Sequence, residues 1–314
     1  MDFTYDEEQL ALQEVARTAL ERECSPQLLR DLADDPIGVT PGLWSTLVDL
    51  GWTGLLVPEE NGGTGTGLLE TCIVLEQMGR IPLPGPFFSS AVAATLAARA
   101  LGAAELLADL ASGTRRGTVA LGEQGHGDPL GTVRTRARRK GAQWVLSGEK
   151  SAVVDGHTAD WAIVVARSEE GVRSYLVDTP ATTAGAELVP SLDPTRKLAR
   201  LALDETPALP MGPSGSQASL WQRVQDDVAV ALAAETVGAA DRALTEAIAY
   251  TSQRIVFDKP VPLTKPFATA WSTCSSSSRW RGPASSSPPG PPTPRRRSGR
   301  RLRPWRRATP RRRG

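Results

Sequence analysis

From Lys265 to Gly314 the chain has no aspartate or glutamate at all. Of its 36 lysines and arginines, 14 fall in that stretch, which leaves 22 basic against 35 acidic groups upstream, a net charge of −13. An acidic body of this kind argues against a nucleic-acid footprint on the folded part. Cysteine is scarce: Cys24, Cys72 and Cys274 are widely spaced with no CxxC, which excludes a disulfide framework. His126 and His157 are the only histidines, too few for a His-rich metal site or a Ser-His-Asp triad. The opening Met1-Asp-Phe-Thr-Tyr-Asp-Glu-Glu is acidic where a secretory signal would be basic. No apolar run reaches the roughly 20 residues of a membrane span. The expectation is a soluble, cytoplasmic protein in a reducing compartment.

What is present falls into zones. Asp6-Glu-Glu-Gln-Leu-Ala-Leu-Gln opens a helix with acids at its N-terminus, where they suit the helix dipole. Leu10, Val15 and Leu20 supply apolar positions at helical spacing. Further helices are expected at Pro41–Leu50, Leu68–Met78 and Ser90–Ala100. Leu56-Val-Pro-Glu-Glu-Asn-Gly-Gly-Thr-Gly-Thr-Gly lies between two of them, and its glycines permit backbone angles closed to other residues. From about residue 118 the period changes. Gln143–Leu146, Ser151–Val154, Trp161–Ala166 and Val172–Val177 are short β-rich runs divided by Gly and Asp, spaced as in an antiparallel sheet. Lys197–Leu203 alternates as a half-buried strand. Helical period returns over Leu220–Tyr250, rich in Ala, Val and Leu and interrupted only by Gly238.

The expected fold class is therefore α+β. An N-terminal all-α domain (1–117) precedes a middle antiparallel β-barrel-like domain (118–212). The first part of a truncated C-terminal helical bundle (213–263) and a disordered basic tail (264–314) follow.

Four stretches resemble the acyl-CoA dehydrogenase flavoprotein family. Val57-Pro-Glu-Glu-Asn-Gly-Gly-Thr-Gly resembles its PEEYGGxG turn. Glu123-Gln-Gly-His-Gly through Gly148-Glu-Lys resembles the EPGAGSD loop and the NGxK that follows it, and Ala159–Arg167 resembles the next strand. Tyr250-Thr-Ser-Gln-Arg-Ile-Val-Phe-Asp-Lys-Pro-Val resembles the YxxxRxQFGxPI helix terminus and is the most specific of the four. The resemblance implies α,β-dehydrogenation of an acyl-CoA thioester. A carboxylate takes the α-proton and FAD takes the β-hydrogen as hydride, with an electron-transfer flavoprotein or similar acceptor downstream, in a homo- or hetero-oligomer. It implies cofactor contacts at Leu121, Gly122, Val153, Val154, Arg254 and Phe257, and substrate contacts at Gly127, Asp128 and Val228. Arg254 would reach the FAD pyrophosphate of a neighbouring subunit, a task for a planar bidentate fork. A surface Arg closing a helix is the plainer alternative.

Several flavin-facing positions depart from the pattern. Gly122 stands where the family has Thr, and Ala152-Val-Val154 replaces Trp-Ile-Thr. Asp128-Pro129 replaces the Ser-Asp of the loop. Side-chain hydrogen bonds worth about 0.5–1.5 kcal/mol each are lost, while backbone donors at Leu121, Gly122 and Val154 survive substitution. The catalytic base is expected in the missing C-terminal region. A minority of members carry a Glu 26 residues before the Arg, and here that position is Val228. Asp226 and Asp227 read as solvated acids on a helix start. Members with degenerate flavin motifs associated with CoA thioesters of steroid degradation pair with a complete subunit, which makes a non-catalytic partner subunit the second reading. His126 reads as an exposed loop residue, Cys24 and Cys72 as inert core thiols, and Glu59 and Glu60 as solvated.

The tail has two readings. One is a basic arm for nucleic acid, with Trp271, Trp280 and Trp305 as stacking residues. The other is a shifted reading frame, because out-of-frame GC-rich coding sequence yields Arg, Pro, Ser, Ala, Gly and Trp. Synonymous codons for Lys265–Arg281, read one nucleotide back, give Gln-Ala-Ile-Arg-His-Arg-Leu-Val-Asp-Val-Leu-Gln-Gln-Leu-Glu-Met-Ala. That string is an amphipathic helix resembling the family's continuation, and both single-codon tryptophans comply. The frameshift is the favoured reading. It predicts a poorly soluble or inactive product from the chain as written.

Overall fold

The computed structural model describes residues 5–125, 128–178, 186–256 and 259–260. All of these lie in one compact unit, 1–282, whereas a second unit, Pro283–Gly314, falls outside them.

The helical layer is built by capping and small-residue packing. Helix α1 (Glu7–Glu23) starts at Asp6, whose carboxylate accepts from Gln9 N–H at 2.8 Å while the Gln9 side chain accepts from Asp6 N–H, a reciprocal capping box. Helices α2 (Pro26–Asp34) and α3 (Pro41–Asp49) open on Ser25 and Thr40 with proline at the first helical position. The side of α1 that packs inward is Ala16, Ala19 and Leu20; the expected Leu10 and Val15 are about half exposed. Helix α4 (Leu68–Arg80) runs one half-turn beyond its expected end. The expected Ser90–Ala100 helix is two pieces, a π-helical segment Phe87–Ala94 and α5 (Thr95–Leu101), followed by α6 (Ala104–Ser112). The glycine-rich turn behaves as its composition requires: Gly62, Gly65 and Gly67 all have positive φ, and a Cβ on Gly63 would meet the Val57 carbonyl at 2.0 Å.

The β-region closes on itself. Its strands are β1 (Gly117–Ala120), β2 (Arg136–Lys140), β3 (Gln143–Val154), β4 (Trp161–Ser168), β5 (Gly171–Asp178), β6 (Ala186–Val189) and β7 (Leu198–Met211). Strands β4, β2, β3, β7 and β5 form a ring through the β4–β5 pairing, giving the expected barrel-like domain. Two pairings are parallel rather than antiparallel, because β1 and β2 share one edge of β4. Gln143–Leu146 and Ser151–Val154 form one strand, with register shifts against β7 after Leu146 and after Lys150. Strand β4 is buried on both faces: Ala162, Val164 and Ala166 fill the barrel, and Trp161, Ile163 and Val165 pack with the helices.

The long helix α7 (Ala218–Gln253) is anchored at its start. Gln217 accepts from Ser174 N–H at 2.9 Å and Ser174 Oγ at 2.6 Å, and Trp221 Nε1 donates to the same Ser174 Oγ at 2.9 Å. Farther on, α7 crosses α4 at two glycines. A Cβ on Gly79 would sit 1.9 Å from the Glu235 carbonyl, and one on Gly238 would sit 1.8 Å from that of Glu76. The two backbones are in contact, and the Arg80–Asp241 ion pair follows the crossing. The short strands β8 (Ile255–Val256) and β9 (Lys259–Pro260) pair after α7. No helix among the described residues is long and apolar enough to cross a membrane. The basic tail lies outside the described residues.

Candidate cofactor site

Two lengths of backbone, after β1 and at the end of β3, are drawn together by a small set of bonds. Ser151 N–H donates to the Gly122 carbonyl at 2.9 Å, and the buried Thr118 hydroxyl donates to the Val154 carbonyl at 2.6 Å. Lys150, completely buried, donates through Nζ to the Leu121 carbonyl at 3.1 Å and to Glu123 Oε1 at 2.7 Å. Leu121, Gly122, Val153 and Val154 thus belong to one locality.

Glu123 is the hub of that locality. It also accepts from Thr135 N–H at 2.9 Å, Thr135 Oγ1 at 2.7 Å and Arg134 N–H at 2.7 Å. Burial alone would push its carboxyl up, but these donors and the Lys150 ammonium outweigh burial and hold it below the ordinary carboxylate range. For Lys150 the balance goes the other way: burial lowers its affinity for a proton more than Glu123 restores it. A buried pair with both carboxylate oxygens hydrogen-bonded fixes geometry, whatever its net contribution to stability.

The backbone here is strained where the family resemblance is weakest. Ala152 has φ 53° and Asp155 φ 52°, left-handed angles that cost a non-glycine residue on the order of 1 kcal/mol or more. Ala152 coincides with the second bulge of β3. A Cβ at Gly122 would come 3.2 Å from the Ser151 carbonyl, so the glycine lets the two segments close up. Beyond the bulge, the 2 %-exposed Asp155 accepts from Ser89 Oγ at 2.6 Å and ties the barrel to the π-helical segment. Burial raises its proton affinity against the pull of nearby Arg196, His157 and Arg116.

The remaining expected residues lie in several places. The Val153 side chain is buried in the barrel, leaving only its backbone for a ligand. Asp128 turns its carboxylate onto its own loop, accepting from Leu130 N–H at 2.9 Å and Gly131 N–H at 3.0 Å. Val228 on α7 is half-buried against the helical core. Asp226 and Asp227 are exposed, and Gln222 donates to Asp226 at 3.1 Å. Arg254 is exposed at the end of α7, its N–H bonded to the Tyr250 carbonyl. His126, Gly127 and Phe257 lie outside the described residues. Burial pushes the Cys24 and Cys72 thiols up to about 11, as inert core thiols require. The Lys150–Glu123 pair was not singled out as an interacting pair in the sequence; the NGxK-like Gly148-Glu-Lys was the only signal for it.

A helical layer, a closed barrel and a long helix packed over both is the architecture of a flavoprotein dehydrogenase body, and the comparisons narrow it. Residues 6–113 match the acyl-CoA dehydrogenase N-terminal domain and residues 118–203 its middle domain. The acyl-CoA dehydrogenase IpdE2 of Mycobacterium tuberculosis is 30% identical over 260 residues, spanning 82% of this chain and 68% of that protein. A solved Tcur3481–Tcur3483 steroid ACAD superposes with TM-score 0.76 at 29% identity over 87% of this chain and 74% of its own. The ChsE4–ChsE5 complex from M. tuberculosis gives 0.73 at 25% over 87% and 74%. A glutaryl-CoA dehydrogenase from Mycobacterium smegmatis in complex with FADH2 gives 0.75 at 25% over 86% and 72%. The chain belongs to the acyl-CoA dehydrogenase family, whose members are FAD-dependent oxidoreductases.

Proposed function

We propose that this chain is the body of an acyl-CoA dehydrogenase-like flavoprotein acting in the α,β-dehydrogenation of an acyl-CoA thioester. The observation that carries the reading is the pairing of Leu121–Gly122 with Val153–Val154 through Lys150 and Glu123, on a chain of this family. FAD fits that locality through main chain. The Thr118 hydroxyl is committed to Val154, the neighbouring positions carry Gly, Ala and Val, and five hydrogen bonds from Lys150, Thr135 and Arg134 converge on Glu123 and Leu121. When bound, FAD supplies the two-electron acceptor for the hydride.

The chain's own residues then hold and orient. The backbone of Leu121, Gly122, Val153 and Val154 would hold the flavin ring. Asp128 in the loop and Val228 on α7 would border the acyl-CoA, as would Gly127, which lies outside the described residues. Arg254, exposed at a helix end, offers its guanidinium to the pyrophosphate of a neighbouring subunit's flavin. No described residue is assigned as the base: Val228 has no carboxyl, and Asp226 and Asp227 face solvent. We place the base in the region displaced by a frameshift near Thr264, with an electron-transfer flavoprotein or similar acceptor taking the electrons.

The ChsE4–ChsE5 likeness, together with the missing base, favours one alternative: a non-catalytic subunit that completes a heteromeric dehydrogenase. Visible flavin absorbance separates the two. A chain that is yellow when purified alone supports the first reading. Colourless protein that turns yellow only with a partner subunit supports the second. Measurable dehydrogenase turnover from the purified 314-residue chain alone would overturn the assignment of the base to the displaced region.

A further inference from the structure

On the outside of the barrel, three arginines share one face. Across residues 134–136 the chain alternates exposed, buried, exposed: Arg134 and Arg136 point outward while Thr135, 1 % exposed, turns in to Glu123. Arg167 on β4 is the register partner of Arg136 on β2, which puts their side chains on the same side of the sheet. Arg167 N–H also donates to the Thr135 carbonyl at 2.8 Å.

Two like charges directly opposite each other on a sheet destabilise it. This pair persists in a body that carries 13 more acids than bases over residues 1–264. On the same strand Arg138 and Lys140 share one carboxylate, Glu205, and Arg139 lies 5.6 Å over the Trp144 ring. Among the described residues, Arg134, Arg136 and Arg167 have no carboxylate partner. Glu123 meets Arg134 through its backbone alone: Oε2 accepts the Arg134 N–H while Oε1 accepts from Lys150 and Thr135. Arg167 is held in place as well: Nε donates to the Val133 carbonyl at 3.2 Å and Nη2 to the Gly131 carbonyl at 3.4 Å. One fixed guanidinium therefore stands beside two free ones, on the loop that the buried ion pair anchors.

We propose that Arg134, Arg136 and Arg167 form a phosphate-binding face that takes the phosphate-bearing end of a nucleotide ligand. Planar guanidinium forks match phosphate oxygens in pairs, and a dianion between Arg136 and Arg167 converts their repulsion into two charge-assisted contacts. The face lies on the outside of the barrel, on residues that flank Thr135 rather than on Leu121, Gly122, Val153 or Val154. Its chemistry admits a coenzyme A thioester, FAD or free phosphate as the source.

Isothermal titration of the full 314-residue chain at low salt, with coenzyme A, FAD and inorganic phosphate in separate arms, tests this. At least one arm is expected to show saturable binding that weakens with added salt. The arm that saturates identifies the source. Arg134→Gln and Arg136→Gln are each expected to weaken that binding about tenfold. Arg136→Gln is also expected to raise the unliganded melting temperature at low salt, by removing a like-charge pair. That combination, weaker binding with higher intrinsic stability, is not produced by general damage to the fold. Binding unchanged in both variants, or no saturable binding in any arm, would overturn the proposal. So would an Arg136→Gln variant that loses binding and stability together while Arg134→Gln binds normally.

Discussion

The two ends of α7 are made from similar residues and live in different surroundings. Over its first turns Leu220, Trp221, Val224 and Ala231 are buried, and the Gln217–Ser174–Trp221 network fixes the helix to the barrel. From the crossing with α4 at Gly238 onward only Gly238 and Thr251 are buried and Tyr250 is 65 % exposed, while Leu232 and Val237, on the outward side just before it, are 48 % and 39 % exposed. An Ala-rich helix with apolar residues on its outward side is the composition of a helix meant to be covered. The first half shows what covering supplies, and the second shows a helix whose fate depends on what else is bound. This contrast accords with the proposal that the reading frame is lost near Thr264.

Substitutions can break the comparison at each level. Trp221→Ala removes a fully buried aromatic and one of the two hydrogen bonds on the Ser174 hydroxyl, so chemical denaturation should register a loss of about 3–5 kcal/mol. Gly238→Ala forces a methyl into the Glu76 carbonyl, and the same assay should show a loss of roughly 1–3 kcal/mol as the two helices move apart. Glu123→Gln acts through pH. The native carboxyl is held below its unfolded range, so its contribution is present above the unfolded value of roughly 4.3 and is lost as pH falls through the lower native value. Wild-type stability should therefore fall on the acid side, and the variant should start lower near neutrality with a flatter acid limb. Leu232→Gln, on the uncovered side, should change stability by no more than about 0.5 kcal/mol in this chain. If it costs as much as Gly238→Ala, the outer side is already covered and the contrast fails.

Much of this architecture is legible in the sequence because period carries it. The apolar spacing of α7, the proline and hydroxyl that open α3, and the doubly buried β4 are local signals; α2 is not among the expected helices, although Ser25-Pro26 opens it in the same way. Strand β2, Arg-Ala-Arg-Arg-Lys, is not: only Ala137 faces the barrel, so no alternation marks it. Helix α6 opens without a side-chain cap and strand β6 has only four residues, so neither stands out. The parallel edges of β4 depend on long-range closure. At the candidate site, the loop and strand end can be placed from motif likeness. The left-handed turn at Ala152 cannot, because alanine gives no sign of it and only the bulge against β7 requires it. The pairing of Lys150 with Glu123 joins residues 27 apart and depends on the barrel closing around them.

Hydrogen exchange along α7 in the full chain tests the contrast most directly. Amides from Leu220 to Gly238 should be protected at close to the global level, and those from Leu244 to Gln253 at least about tenfold less. Restoring the reading frame proposed to be lost after Thr264, or adding the proposed partner subunit, should raise the second set toward the first. Uniform protection to Gln253 in the chain as written would contradict the account, because it would mean that the far half of α7 is already covered.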